Sequence, residues 1–151
     1  MELLTVIIAG LIAGLLSAAG MNMFMRAVGR NFGRSADMVR ALGSYFTGRM
    51  KGATATGTTI HLVAGAFFGI FYLAIIHAVG ALAFPQALFL GLGIGFVHGL
   101  VMSYVLMIFA SERHPLEDYR KATMQEGVLH LFGHVLFGGL VGLLGGLAAM
   151  F

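Results

Sequence analysis

Three stretches of this 151-residue chain carry no charged side chain: residues 3–25, 52–111 and 127–151. A helix rises about 1.5 Å per residue, so roughly 20 apolar residues cross a hydrocarbon core of about 30 Å. The first and last stretches each hold one crossing. The middle stretch holds two, and Pro85 falls between its apolar runs. Proline ends helices, so a turn is expected at Ala81–Gln86. The expected spans are residues 3–25, 58–80, 88–110 and 127–150, joined by charged connections at 26–57 and 111–126. These runs lack the period-two alternation of a membrane barrel, so strands are not expected.

Composition closes the other routes. Hydrophobic types make up 59% of the chain and charged types 10%, against roughly 25% charge in an ordinary soluble domain. A short soluble domain has a large surface for its volume, and so few charges cannot solvate it. A disordered chain is excluded by the same apolar mass. The chain has no cysteine, which removes disulfides and thiolate metal sites. The expected fold is all-α: a single transmembrane domain over residues 1–151, built as a four-helix bundle.

The nine basic residues fall in the two long connections: Arg26, Arg30, Arg34, Arg40, Arg49 and Lys51 in the first, Arg113, Arg120 and Lys121 in the second. The positive-inside rule then puts both connections in the cytoplasm and both termini outside, as a multi-pass protein of the cell (inner) membrane. The +3 net charge is therefore a topology signal. It forms no basic stripe with interleaved aromatics, so nucleic acid is not an expected partner. Anionic lipid headgroups are the milder partner for the arginines. Residues 3–19 follow Glu2 with no Lys or Arg before them, which reads as a span and not as a cleaved signal. Within the first connection, residues 35–43 carry a cap candidate in Ser35 and a stop in Gly43. A short interfacial helix is expected there, with Met38, Val39 and Leu42 toward the membrane surface.

The spans repeat. His61-Leu-Val-Ala-Gly-Ala-Phe-Phe-Gly69 aligns with His130-Leu-Phe-Gly-His-Val-Leu-Phe-Gly138, 69 residues on. Gly10, Gly14, Ser17 and Met21 align with Gly91, Gly95, His98 and Met102, 81 residues on. Two parallel helix-hairpin repeats would be related by a pseudo-twofold axis along the membrane normal. Runs of glycine at every fourth position permit close helix contact in lipid. They suit packing within one bundle or, at Gly142 and Gly146 above all, a face for a homo-oligomer or a larger membrane complex.

Four histidines fall within the spans. Counted from the expected cytoplasmic ends, His61 lies about 6 Å in, His130 about 6–8 Å, His134 about 12 Å and His98 about 18 Å. Glu126, His130 and His134 step by four and share a helix face, as do His98 with Met102 and Met21 with Met25. Ionisable groups at membrane depth are costly and tend to mark function. Two neutral histidines one turn apart can chelate one metal ion. His98 or His61 and the Glu126 carboxylate would complete a mixed site, and the thioethers of Met21, Met25 and Met102 would favour copper over zinc. One haem b between His98 and His134, or between His61 and His130, is a second reading. A proton or ion path needs no cofactor. The bland reading is a structural accessory subunit whose histidines only pack. Tyr72 and Tyr104 are polar tips nearby, while His77 and His114 are set aside as interfacial and loop residues. No nucleophile elbow, P-loop or dinucleotide fingerprint occurs, so an enzyme is not the expectation.

Phe67-Phe-Gly-Ile-Phe-Tyr72, Pro85, Gly91-x-Gly-x-Gly-x-Val-His98 and Phe132-Gly-His134 together resemble the YagU-like group of small inner-membrane proteins. The likeness covers roughly residues 58–145. His130 stands where that group's pattern carries an acidic residue. The resemblance implies a multi-span membrane fold and no particular activity.

Overall fold

The computed structural model describes residues 1–30, 37–120 and 123–150. Its helices are α1 (Leu3–Gly29), α2 (Met38–Thr47), α3 (Ala53–Ala78), α4 (Gln86–Arg113) and α5 (Met124–Ala148), with a 3-10 turn at Glu117–Tyr119. No strand occurs among the described residues. Four of these helices, α1, α3, α5 and the Gln86–Ile108 part of α4, are long and apolar enough to cross a membrane.

Local chemistry sets their ends. α3 begins at Ala53, five residues ahead of the expected span, after Gly52 turns the chain at φ 82°. The Thr59 hydroxyl donates to the Ala55 carbonyl at 3.1 Å, so this hydroxyl-rich lead-in is absorbed as helix. The expected turn is present: α3 stops at Ala78, Gly80 takes φ 71°, and α4 starts directly after Pro85. α5 starts at Met124 through a capping box, in which Thr123 and Glu126 satisfy each other's backbone N–H groups.

The short helix in the first connection differs from expectation. Its cap is Asp37, whose carboxylate accepts from the Arg40 N–H at 3.1 Å. Ser35 lies outside the described residues, as do Arg34 and Lys121. Gly43 does not end the helix, which runs to Thr47 and stops at Gly48 with φ 65°. Gly43 instead faces α3, where an added Cβ would strike the Ala53 carbonyl and come within 2.7 Å of Gly57 N. Val39 is buried on the same side, and Tyr45 and Phe46 are exposed.

The spans pack as two close pairs. A Cβ on Gly14 of α1 would strike the Gly65 carbonyl of α3 and fall 2.9 Å from Gly69 Cα. A Cβ on Gly95 of α4 would strike the His134 carbonyl of α5 and fall 3.2 Å from Gly138 Cα. Each residue of the second contact lies 81 or 69 residues beyond its counterpart in the first. Gly10 against Gly69 and Gly91 against Gly138 continue the correspondence. Backbone contact of this kind is how helices associate in lipid without a hydrophobic driving force. Gly142 and Gly146, the strongest sequence candidates for an oligomer face, point at Ala87 of α4 in the same chain. That face is already used.

α5 is the central helix. Half of its most apolar window is buried, against 17% for α4 at the edge of the bundle. Met21 and Met25 of α1 close on α5 at Gly133, and with Tyr72, Leu129, Phe137 and Val141 they form the apolar core.

At the end of the bundle that carries the charged connections, His114 ties α2 to the second connection. It is buried; the Leu116 N–H donates to its Nδ1 at 3.1 Å, and its Nε2–H donates to the Ala41 carbonyl of α2 at 3.0 Å. Arg120 donates to the His114 carbonyl at 2.6 Å. A histidine set aside as a loop residue is thus the fastener between α2 and the second connection.

Candidate functional site

The capping box starts α5 with a carboxylate, and a step of four carries that face inward through Glu126, His130 and His134. These are 5%, 2% and 8% exposed. His134 Nδ1–H donates to the His130 carbonyl at 2.9 Å, and His130 bonds the Glu126 backbone in the same manner. Each ring therefore has one nitrogen anchored to the turn before it. Such an anchor fixes the tautomer and leaves the lone pair on the other nitrogen, which in His130 is the buried, unpartnered Nε2.

The glycine ridge of α4 brings the next ring to them. Gly95 and Gly99 lie on α5 beside His134, so His98 between them projects across its ring. The His98 and His134 rings meet edge-on, with centroids 4.7 Å apart and planes at 68°. His130 and His134 stack at 5.9 Å. On its other side His98 rests against Phe68 at 4.3 Å, and its Nδ1 shares a 2.8 Å hydrogen bond with the Tyr72 hydroxyl. His61 of α3 lies within electrostatic range of His130 and His134. The four span histidines thus belong to one neighbourhood, with Glu126 at one end and Tyr72 at the other.

Four polar atoms of this neighbourhood are buried and unpartnered: His61 Nδ1, His98 Nε2, His130 Nε2 and Glu126 Oε1. Buried polar atoms are paired in the great majority of cases, and each exception asks for a physical role. Next to Tyr72 the buried side chains Leu73, Ile76, Phe137 and Val141 are apolar.

The methionines divide. Met21 and Met25 are buried on the α5 turn between His130 and His134, where a Cβ on Gly133 would come 2.9 Å from Met21 Cε and 3.0 Å from Met25 Sδ. Met102 is 36% exposed. It is not brought in, because the buried face of α4 runs from Gly99 to Ser103 and passes it by. Glu126 is half engaged: Oε2 accepts from the Thr123 N–H and Oε1 stays bare. Among the described residues, no group of three His, Asp or Glu side chains is arranged to hold a metal ion. The His98 and His134 rings touch directly and leave no gap for a macrocycle, so this pair does not fit axial ligation of haem b.

Tyr72 carries more of this site than its sequence position suggested, where its polar tip was the one signal. Searches against family models, curated proteins and solved structures found no match to this chain. The site is therefore read from its own geometry.

Proposed function

We propose that this chain is a four-span inner-membrane protein whose histidine cluster forms a proton path through the bundle. The observation that carries the reading is the succession of polar side chains from Glu126 through His130, His134 and His98 to Tyr72. Its rings are in contact, and unpartnered nitrogens occur along it. A neutral imidazole holds one donor and one acceptor, so a proton can pass between neighbouring rings, without any cofactor, when a ring turns or a water joins their nitrogens. The outer end, from Tyr72 to the end of α3, spans about 9 Å of helix, and Leu73, Ile76 and Phe137 gate it.

The orientation belongs to the same proposal. The distribution of all nine basic residues supports a cytoplasmic Glu126 end and two extracytoplasmic termini. The matched glycine contacts support two parallel helix-hairpin repeats about an axis along the membrane normal. Membership of the YagU-like group is compatible with this reading and adds no activity to it.

The test is potential-driven proton flux into vesicles carrying the purified protein, followed with an enclosed pH-sensitive dye. The expected result is flux above that of protein-free vesicles, lost in both His98→Ala and His134→Ala. Flux equal to the protein-free level, or unchanged in both variants, overturns the proposal.

A second reading is favoured by one observation: His130 and His134 stand one turn apart, each ring is held by the backbone of the turn before it, and His130 Nε2 is buried and unpartnered. Neutral histidines prepared in this way are ligands for copper or zinc. Elemental analysis after dialysis tests it. A stoichiometric metal lost in His130→Ala and His134→Ala would make the cluster a metal site, with Met21 and Met25 as neighbours suited to copper.

A further inference from the structure

We infer that Tyr72 is a positioning residue for His98: its hydroxyl donates to His98 Nδ1 and holds the ring as the Nε2–H tautomer, the opposite of His130 and His134. The inference rests on the proton-path reading and adds a hydrogen-bond direction to it.

Three observations carry it. The first is a count of satisfied groups. The Tyr72 hydroxyl and His98 Nδ1 are 2.8 Å apart, and either could donate. If Nδ1–H donated, the Tyr72 proton would lack an acceptor and the buried His98 Nε2 lone pair would lack a donor. If the hydroxyl donates, only His98 Nε2–H is left over, and buried unmade hydrogen bonds are what a structure minimises.

The second is complementarity. His134 spends Nδ1–H on the His130 carbonyl and so keeps a lone pair on Nε2. His98 meets that ring edge-on at 4.7 Å. With the free N–H on His98 and the lone pair on His134, a proton can pass from one ring to the other in one sense when their nitrogens meet, whereas two lone pairs would leave nothing to pass.

The third is that the fold does not require the pair. Residues 81 and 69 positions away, Ser17 for His98 and Val141 for Tyr72, occupy the corresponding places on α1 and α5 and are both fully buried. A serine and a valine fill the equivalent seam, so the Tyr–His pair exceeds what packing demands. Tyr72 is itself held, 1% exposed, with Phe137 edge-on at 5.5 Å.

The deciding measurement is the tautomer of His98 in membranes, from ring nitrogen-15 shifts of histidine-labelled protein, assigned by loss of the signal in His98→Gln. The expected spectrum shows His98 protonated at Nε2 and His134 at Nδ1. In Tyr72→Phe, which keeps the ring against Phe137, the His98 signal is expected to split into both tautomers, with proton flux falling at least several-fold. An Nδ1–H His98 in the native protein overturns the inference. So does an unchanged His98 signal in Tyr72→Phe. The native spectrum decides even if that variant fails to fold. Absent flux with an Nε2–H His98 would refute the proton path alone, and flux with an Nδ1–H His98 would refute the role of Tyr72 alone.

Discussion

The ring of His98 meets the ring of His134 edge-on at 4.7 Å, and this contact joins α4 to α5 at the level of the glycine ridge. Aromatic-type ring pairs in this geometry contribute about 0.5–1.5 kcal/mol beyond their burial. A double-mutant cycle of His98→Ala and His134→Ala, read by denaturant unfolding in detergent, is expected to give a coupling in that range. Additive losses would mean that the rings are neighbours without interacting.

The orientation predicts a sided result. A reporter active only outside the cytoplasm should be active when fused after Phe151 and inactive when fused within the connection after Lys51. The reverse pattern would turn the molecule over and put Glu126 at the outer face.

The four long apolar helices were legible because the cost of burying charge is written in composition. No arrangement of helices could bring residues 3–25 or 127–151 to water cheaply. Rotation about each helix axis was not legible from polarity, since the spans are apolar all round and His98 and Met102 share one face by spacing alone. The glycines held that information. Gly91, Gly95 and Gly99 mark the side of α4 that touches α5, which draws His98 in and leaves Met102 out. Gly43 misled for the same reason: a stop glycine and a contact glycine look alike until the partner helix is known. His114 could not be read at all, because its partners, Ala41 and Leu116, are backbone groups with no sequence signature.

The fastener at His114 predicts a local effect. His114→Ala leaves the Leu116 N–H without its partner and takes one of two side-chain donors from the Ala41 carbonyl, which Ser44 still serves; an unsatisfied buried group costs about 1–3 kcal/mol. Amide exchange should accelerate at Leu116 and along α2, with little change in α5. Uniform acceleration across all helices would mean that His114 supports the whole bundle and not this junction.

The matched glycine contacts predict matched costs. Gly14→Val and Gly95→Val each drive a side chain into the backbone of a partner helix, at Gly65 and Gly69 in one case and at His134 and Gly138 in the other. Overpacking costs about 1–3 kcal/mol and occasionally more, and neither site can yield, because the obstacle is main chain. Both variants should therefore unfold at clearly lower denaturant than the native protein, by similar amounts. Gly93 is the control: an added Cβ there has nothing within 4 Å. Gly93→Ala should keep native stability or gain slightly, since alanine is the better helix former. Gly95→Val has a second readout, because displacing α4 separates His98 from His134. It should abolish proton flux while Gly14→Val, on the far pair, reduces it less. Equal flux in the two variants would mean that the ring contact is not part of the path.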